Sequence, residues 1–208
     1  MEINIYNATL EDLPEIMRVE ESWPESSRAP EDKFIARIEK FPQGFFVGES
    51  DGRLVATVTS CPVKYDPDDL SSFSNWKDVT NDGYLYDMGD VSDYNAIYVV
   101  SGVIDKDVRG ADVFAPMMTR EIELAAELGY DYVCAGAVLP GYAHYCEKHG
   151  QIEPEDYVFT KIGQHCVDPL LEIYRKLDFT VPDRHHVKRD YYPDQASLNC
   201  TAMVVRRV

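Results

Sequence analysis

Ala96-Ile-Tyr-Val-Val-Ser-Gly-Val-Ile104, running into Asp105-Lys-Asp-Val-Arg-Gly-Ala-Asp112, is the stretch on which the reading of this chain turns. Its first nine residues are rich in β-branched side chains and carry no charge, the composition of a buried strand. Beyond it, Val113, Met117, Met118, Ile122 and Ala125 recur at helical spacing over 113–128, and 130–138 reads as a further strand. Strand, helix and strand in that order form a crossover, which puts a parallel pair into the sheet. Arg109-Gly110 lies in the connection, just ahead of the helix. Free backbone N–H groups and the positive helix end converge there, so the place suits an anion.

On the N-terminal side, the runs 44–49 and 54–60 flank Ser50-Asp51-Gly52-Arg53. Asp-Gly between apolar runs predicts a tight hairpin. Residues 2–8 alternate as a short strand, with Ile3 and Ile5 on the inward face. Thr9 and Asp12 mark the start of a helix carrying Leu13, Ile16 and Met17. Pro30 opens a second helix, whose apolar stripe is Phe34, Ile35, Ile38 and Phe41. Segment 62–93 holds eight aspartates and few aliphatic residues, and reads as an acidic excursion or lid, longer than compact domains usually leave unstructured. On the C-terminal side, helices are expected near 141–148 and over 169–177, with strands at 179–188 and 197–206. The sum is an α/β chain, read as one domain over 1–208, with a central mixed, mostly antiparallel sheet flanked by helices.

Composition narrows the function classes. The 208 residues are 45% hydrophobic, enough for a packed core and too many for a wholly disordered chain. No run approaches the roughly 20 apolar residues of a membrane span, and the first residues do not read as a secretion signal. Twenty Lys and Arg against 37 Asp and Glu leave a net charge of -17, which repels nucleic acid and anionic membranes alike. The five cysteines are odd in number and contain no Cys-x-x-Cys pair, as expected of reduced thiols in a cytoplasmic protein. Their spacing to the histidines matches no zinc site, so no metal is expected.

The order of elements, taken with several local strings, resembles the GNAT acyltransferase superfamily over nearly the whole chain. The strings are Trp23-Pro24 with Arg28-Ala29, Phe41-Pro-x-Gly-Phe-Phe-Val47, Asn95-Ala96-x-Tyr98, Pro140-Gly141-Tyr142 with Tyr145-Cys146, Asp168-Pro169-x-Leu171, and Tyr174 before Phe179. The resemblance implies a GNAT fold, and an acyltransferase using acetyl-CoA or another acyl-CoA as co-substrate. It implies that Val103 and Ile104 contact the pantetheine arm, and that Arg109, Gly110, Ala111, Asp112, Val113 and Phe114 lie at the pyrophosphate. It also implies that Tyr174 protonates the departing thiolate. The implied acceptor is a small-molecule amine, with Trp23, Tyr98 and Tyr142 as substrate contacts, and a homodimer is left open.

The loop departs from the family pattern Arg-x-x-Gly-x-Gly/Ala, because Asp112 and Phe114 fill both later small-residue positions. A fixed carboxylate near a phosphate costs a few kcal/mol at intermediate dielectric. That departure motivates two alternatives: a non-catalytic scaffold, or action on acyl groups carried by an acyl carrier protein. The chain is also similar to the GNAT-like loading domains of polyketide synthases. Their functional tryptophan and histidine would fall on Trp23 and His149, while their arginine falls on Glu172. His149 is the titratable candidate for a base at neutral pH, and its plainer reading is a helix-end residue before Gly150.

Overall fold

The Asp51-Gly52 turn organises the first half of the sheet. In the computed structural model, which describes residues 2–108 and 111–208 with 111 and 112 as backbone only, both turn residues are left-handed, at φ 53° and 76°. A two-residue turn of that hand matches the strand twist and closes β2 (Phe45–Ser50) onto β3 (Arg53–Val63), with Ser50 opposite Arg53. β1 (Asn4–Asn7) pairs antiparallel with β2, and β4 (Ala96–Ile104) pairs antiparallel with β3. The expected strand 96–104 is found at its expected bounds.

The chain divides into two compact units, one comprising Met1–Lys64, Thr80–Val133 and Val208, the other Tyr65–Val79 and Cys134–Arg207. In the first unit, Thr9 starts the first helical segment: its N–H and hydroxyl both donate to the Asp12 carboxylate, at 2.8 and 3.0 Å. α1 (Leu13–Glu20) and α2 (Glu31–Lys40) bury Ile16, Val19, Phe34 and Ile38 against Phe45 and Val103. Each such side chain contributes about 1.5–3 kcal/mol. α4 (Ala111–Glu127) covers β2 so closely that a Cβ on Gly48 would lie 2.9 Å from the Met117 sulfur.

The excursion carries secondary structure of its own. β3 runs on to Val63, and 3-10 turns at Ser71–Phe73 and Val91–Asp93 flank the short α3 (Trp76–Thr80). Its aromatics serve separate neighbourhoods: Trp76 meets Tyr192 edge-on at 5.5 Å, whereas the Tyr84 hydroxyl donates to Asp32 at 2.9 Å.

The second unit holds most of β5 (Tyr132–Val138), α5 (Tyr142–His149), α6 (Pro154–Phe159), α7 (Pro169–Arg175) and the antiparallel pair β8 (Val187–Arg189) and β9 (Cys200–Arg207). A two-stranded sheet, β6 (Lys161–Ile162) with β7 (His165–Cys166), lies between α6 and α7 in sequence. Sequence periodicity does not reveal α6, β6 or β7, which are too short to show a period. The expected strand 179–188 survives only as a Thr180–Val205 bridge and β8. Pro182 has no N–H for a ladder, and the Asp183 carboxylate caps a 3-10 turn at Arg184–His186, accepting from the His185 N–H at 2.8 Å. The strand order is β1-β2-β3-β4-β5-β9-β8, and the division between the units falls within β5. No helix among the described residues is long and apolar enough to cross a membrane.

Candidate functional site

β4 is not a plain strand. Thr59 opposes Ser101 and Ser60 opposes Val99, so Val100 is an extra residue and the ladder to β3 is bulged there. A bulge bends its strand and re-aims the groups beyond it, a device common beside active sites. Past the bulge, the Val103 side chain is buried with Phe34 and Leu54, so what β4 offers a ligand at that position is main chain. Ile104 is half-buried, and Tyr98, opposite Cys61, is 1% exposed.

The connection leaving β4 starts on a buried ion-pair knot. Asp105 accepts from Arg18 Nη1 and, at 3.2 Å, from Arg53 Nη2, while its other oxygen accepts from the Asp107 N–H at 3.0 Å. Burial opposes the charge, but the Asp107 amide and the two guanidinium groups outweigh it and hold the Asp105 carboxyl below its usual range. Of the expected pyrophosphate residues, Val113 is buried and Phe114 half-buried on α4. Ala111 and Asp112 begin that helix, and Arg109 and Gly110 lie outside the described residues.

The Trp23-Pro24 and Arg28-Ala29 strings form one knot. Arg28 Nε donates to the Trp23 carbonyl at 2.9 Å, and the Ala29 N–H donates to buried Glu20 at 2.7 Å. The Trp23 ring is 38% exposed. Elsewhere in this unit, α4 buries Glu121, which accepts from the Ser60 hydroxyl at 2.7 Å and leaves its second oxygen without a partner among the described residues. Desolvation pushes the Glu121 carboxyl up to about 8, so it is mostly protonated at neutral pH.

In the second unit, Asp168 is a fully buried hub. Its carboxylate accepts from the N–H groups of Leu170 (2.9 Å), Leu171 (3.2 Å) and Gly141 (3.1 Å), and from the Tyr157 hydroxyl (2.9 Å). It caps α7 and ties in the entrance to α5. A Cβ on Gly141 would sit 2.4 Å from the Tyr157 oxygen, which is why the Pro140-Gly141-Tyr142 string needs glycine. Tyr142 is buried, and its hydroxyl donates to the Ile152 carbonyl at 2.7 Å. His149, the last residue of α5, is exposed and stacks against Tyr145 at 4.5 Å, with Gly150 at φ 91° ending the helix. Tyr174 on α7 is buried, packs edge-on against Phe179 at 5.3 Å, and burial raises its pKa, so it holds its proton.

No family model matches the chain. The Bacillus subtilis protein "Uncharacterized N-acetyltransferase YkwB" is 24% identical over 202 residues, which is 95% of this chain and 85% of its own length. "Probable hydrolase YhcX", also from Bacillus subtilis, is 23% identical over 163 residues, and that match spans only 30% of YhcX. The crystal structure of the loading GNATL domain of CurA from Lyngbya majuscula matches 100% of this chain and 98% of its own, with TM-score 0.81 at 19% identity. The chain has the GNAT fold. The GphF GNAT-like decarboxylase, solved with isobutyryl-CoA, shares it over 98% of both chains, with TM-score 0.80 at 21% identity.

Glu172 on α7 is engaged through both oxygens: it binds Arg175 with both at 2.8 Å, His165 at 2.9 Å and the Cys166 N–H at 3.0 Å. Those contacts, led by Arg175, hold its carboxyl well below the usual range. The role of Asp105 was not legible in sequence, because its partner Arg18 is 87 residues away. The signal that could have marked Asp168 as a cap is its place directly before a proline at a helix start.

Proposed function

We propose that the chain is an acyltransferase that moves an acetyl or other acyl group from a coenzyme A thioester to the amine of a small molecule. The observation that carries the reading is β4, bulged at Val100 and leading through the ion-paired Asp105 toward the start of the 17-residue α4. A bulged strand followed by a helix start offers main-chain groups to an extended ligand and N–H groups to an anion. The fold, and the likeness to YkwB, support the same reaction class.

In this reading, main chain at Val103 and Ile104 holds the pantetheine arm, and Arg109 through Phe114 takes the pyrophosphate. Asp112 brings a carboxylate to a stretch that would meet phosphate, so weakened donor affinity is expected. The amine attacks the thioester carbon, the C–N bond forms, the C–S bond breaks, and Tyr174 gives its proton to the departing sulfur. A thiolate formed in an apolar setting has a raised proton affinity, for the same reason that the Tyr174 phenol does. His149 takes the amine proton. Trp23 supplies an acceptor contact, whereas Tyr98 and Tyr142 are buried and the Tyr142 hydroxyl is already committed to Ile152. Free thiols at buried Cys61, Cys134, Cys146 and Cys200 accord with a reducing cytoplasm.

The test is release of free coenzyme A from acetyl-CoA, followed chromatographically with a panel of primary amines. Amine-dependent release that falls about a hundredfold in Tyr174→Phe supports the reading, whereas release independent of every amine contradicts it. A second reading, action on acyl groups of a carrier protein, draws support from the two TM-scores near 0.8 to a loading domain and a decarboxylase. Turnover of an acyl–carrier thioester in preference to acetyl-CoA would favour it.

A further inference from the structure

A cavity of about 600 Å³ opens within the second unit, between 67–71 of the acidic excursion and the 183–188 segment that carries β8. Buried hydrogen bonds tie the two segments together. His186, fully buried, shares one hydrogen bond with the Tyr65 hydroxyl at Nε2 and one with the Asp183 carboxylate at Nδ1, both at 2.8 Å. The Asp183 oxygen that faces His186 also accepts from the His185 N–H, so this carboxylate is held in place rather than free to swing.

The charges on the lining are unequal. Asp68, Asp69 and Asp183 stand against one lysine, Lys188, and His185. Asp69 and Asp183 keep an oxygen engaged by their own loops, and Asp68 is exposed. Lys188 is half-buried and makes no ion pair among the described residues; only the field of Asp183 offsets its desolvation. A half-buried ammonium offset only by the field of Asp183 is a costly arrangement for the free protein, and an anion reaching it would lower that cost. The surrounding carboxylates select against a ligand that brings only negative charge, and Pro67 and Leu70 supply an apolar strip between the charged groups.

We propose that this cavity binds a basic amino acid, its carboxylate on Lys188 and its cationic groups on Asp68, Asp69 and Asp183. The site stands on the cavity and its charges alone, independent of acyl transfer, so it is tested on the protein without any thioester. Calorimetric titration with lysine, with cadaverine (the same diamine lacking the carboxylate) and with glutamate separates the contributions. Lysine binds saturably below about 1 mM, and cadaverine and glutamate bind at least about tenfold more weakly. Lys188→Met weakens lysine at least about tenfold without weakening cadaverine, and Asp68→Asn, at an exposed position, weakens both diamines. No saturable lysine binding, equal binding of lysine and cadaverine, or equal binding of lysine and glutamate each overturns the proposal. The cadaverine and glutamate comparisons use the unmodified chain, so they decide the matter even where a variant fails to fold.

Discussion

Asp105 in the first unit and Asp168 in the second are both buried aspartates where the chain enters a connection or a helix, and they are satisfied in opposite ways. Asp105 is 3% exposed and is met by two arginines and one amide. Asp168 is fully buried and is met by three amides and a phenol, with no cation among the described residues bonded to it. The difference teaches what each knot controls. Charge at Asp105 ties α1 and the β2–β3 hairpin to the connection after β4, so its strength follows pH and salt. The Asp168 knot is built from neutral donors at fixed positions, so its strength lies in geometry. Glu121 is a third case: buried, with one hydrogen bond and no ion pair among the described residues, it keeps its proton instead.

The largest expected effect comes from breaking the neutral knot. Asp168→Ala leaves four buried donors unmet and removes a helix cap, at about 4 kcal/mol in a denaturant titration, and Asp168→Asn restores part of it. A loss below about 1 kcal/mol would show that water replaces the carboxylate and that the two knots do not differ in kind.

Glu121 sharpens the contrast through the sign of its pH dependence. Its folded carboxyl titrates near 8 against about 4.5 unfolded, so the folded state prefers the protonated form. Its contribution is fully present below pH 4.5 and is lost as pH rises toward 8, by about 5 kcal/mol. Glu121→Gln should flatten the stability profile across that window, and an unchanged slope would remove Glu121 as its source.

Asp105 runs the other way. Its folded pKa is depressed, so its stabilisation is present above the unfolded value of about 3.9 and is lost as pH falls through the folded one. Asp105→Asn should cost about 2 kcal/mol at pH 7 and progressively less as pH falls through the folded value. A cost that does not change with pH would mean that the residue acts through shape alone.

The legibility of the fold followed the length and period of each element. Residues 96–104 stood out because nine apolar or small residues have few readings, and the hairpin because Asp51-Gly52 prescribes its own turn. Short elements such as β6 and β7 left no period, and Pro182 with Asp183 redirected a stretch whose composition alone reads as strand. For the candidate site, residues tied to local strings, such as Tyr142 and Asp168, could be found from sequence. Asp105 could not, because one acid among 37 gains its meaning only from the arginines that meet it.

The central claim is that the strand and helix start around Asp105 serve a coenzyme A thioester despite Asp112. The most direct measurement is calorimetric titration with acetyl-CoA beside a pantetheine thioester lacking the nucleotide, at low and moderate salt. The account predicts saturable acetyl-CoA binding that weakens with salt and exceeds that of the nucleotide-free compound. Binding of neither, or equal binding of both, would contradict it and move the donor to a carrier protein.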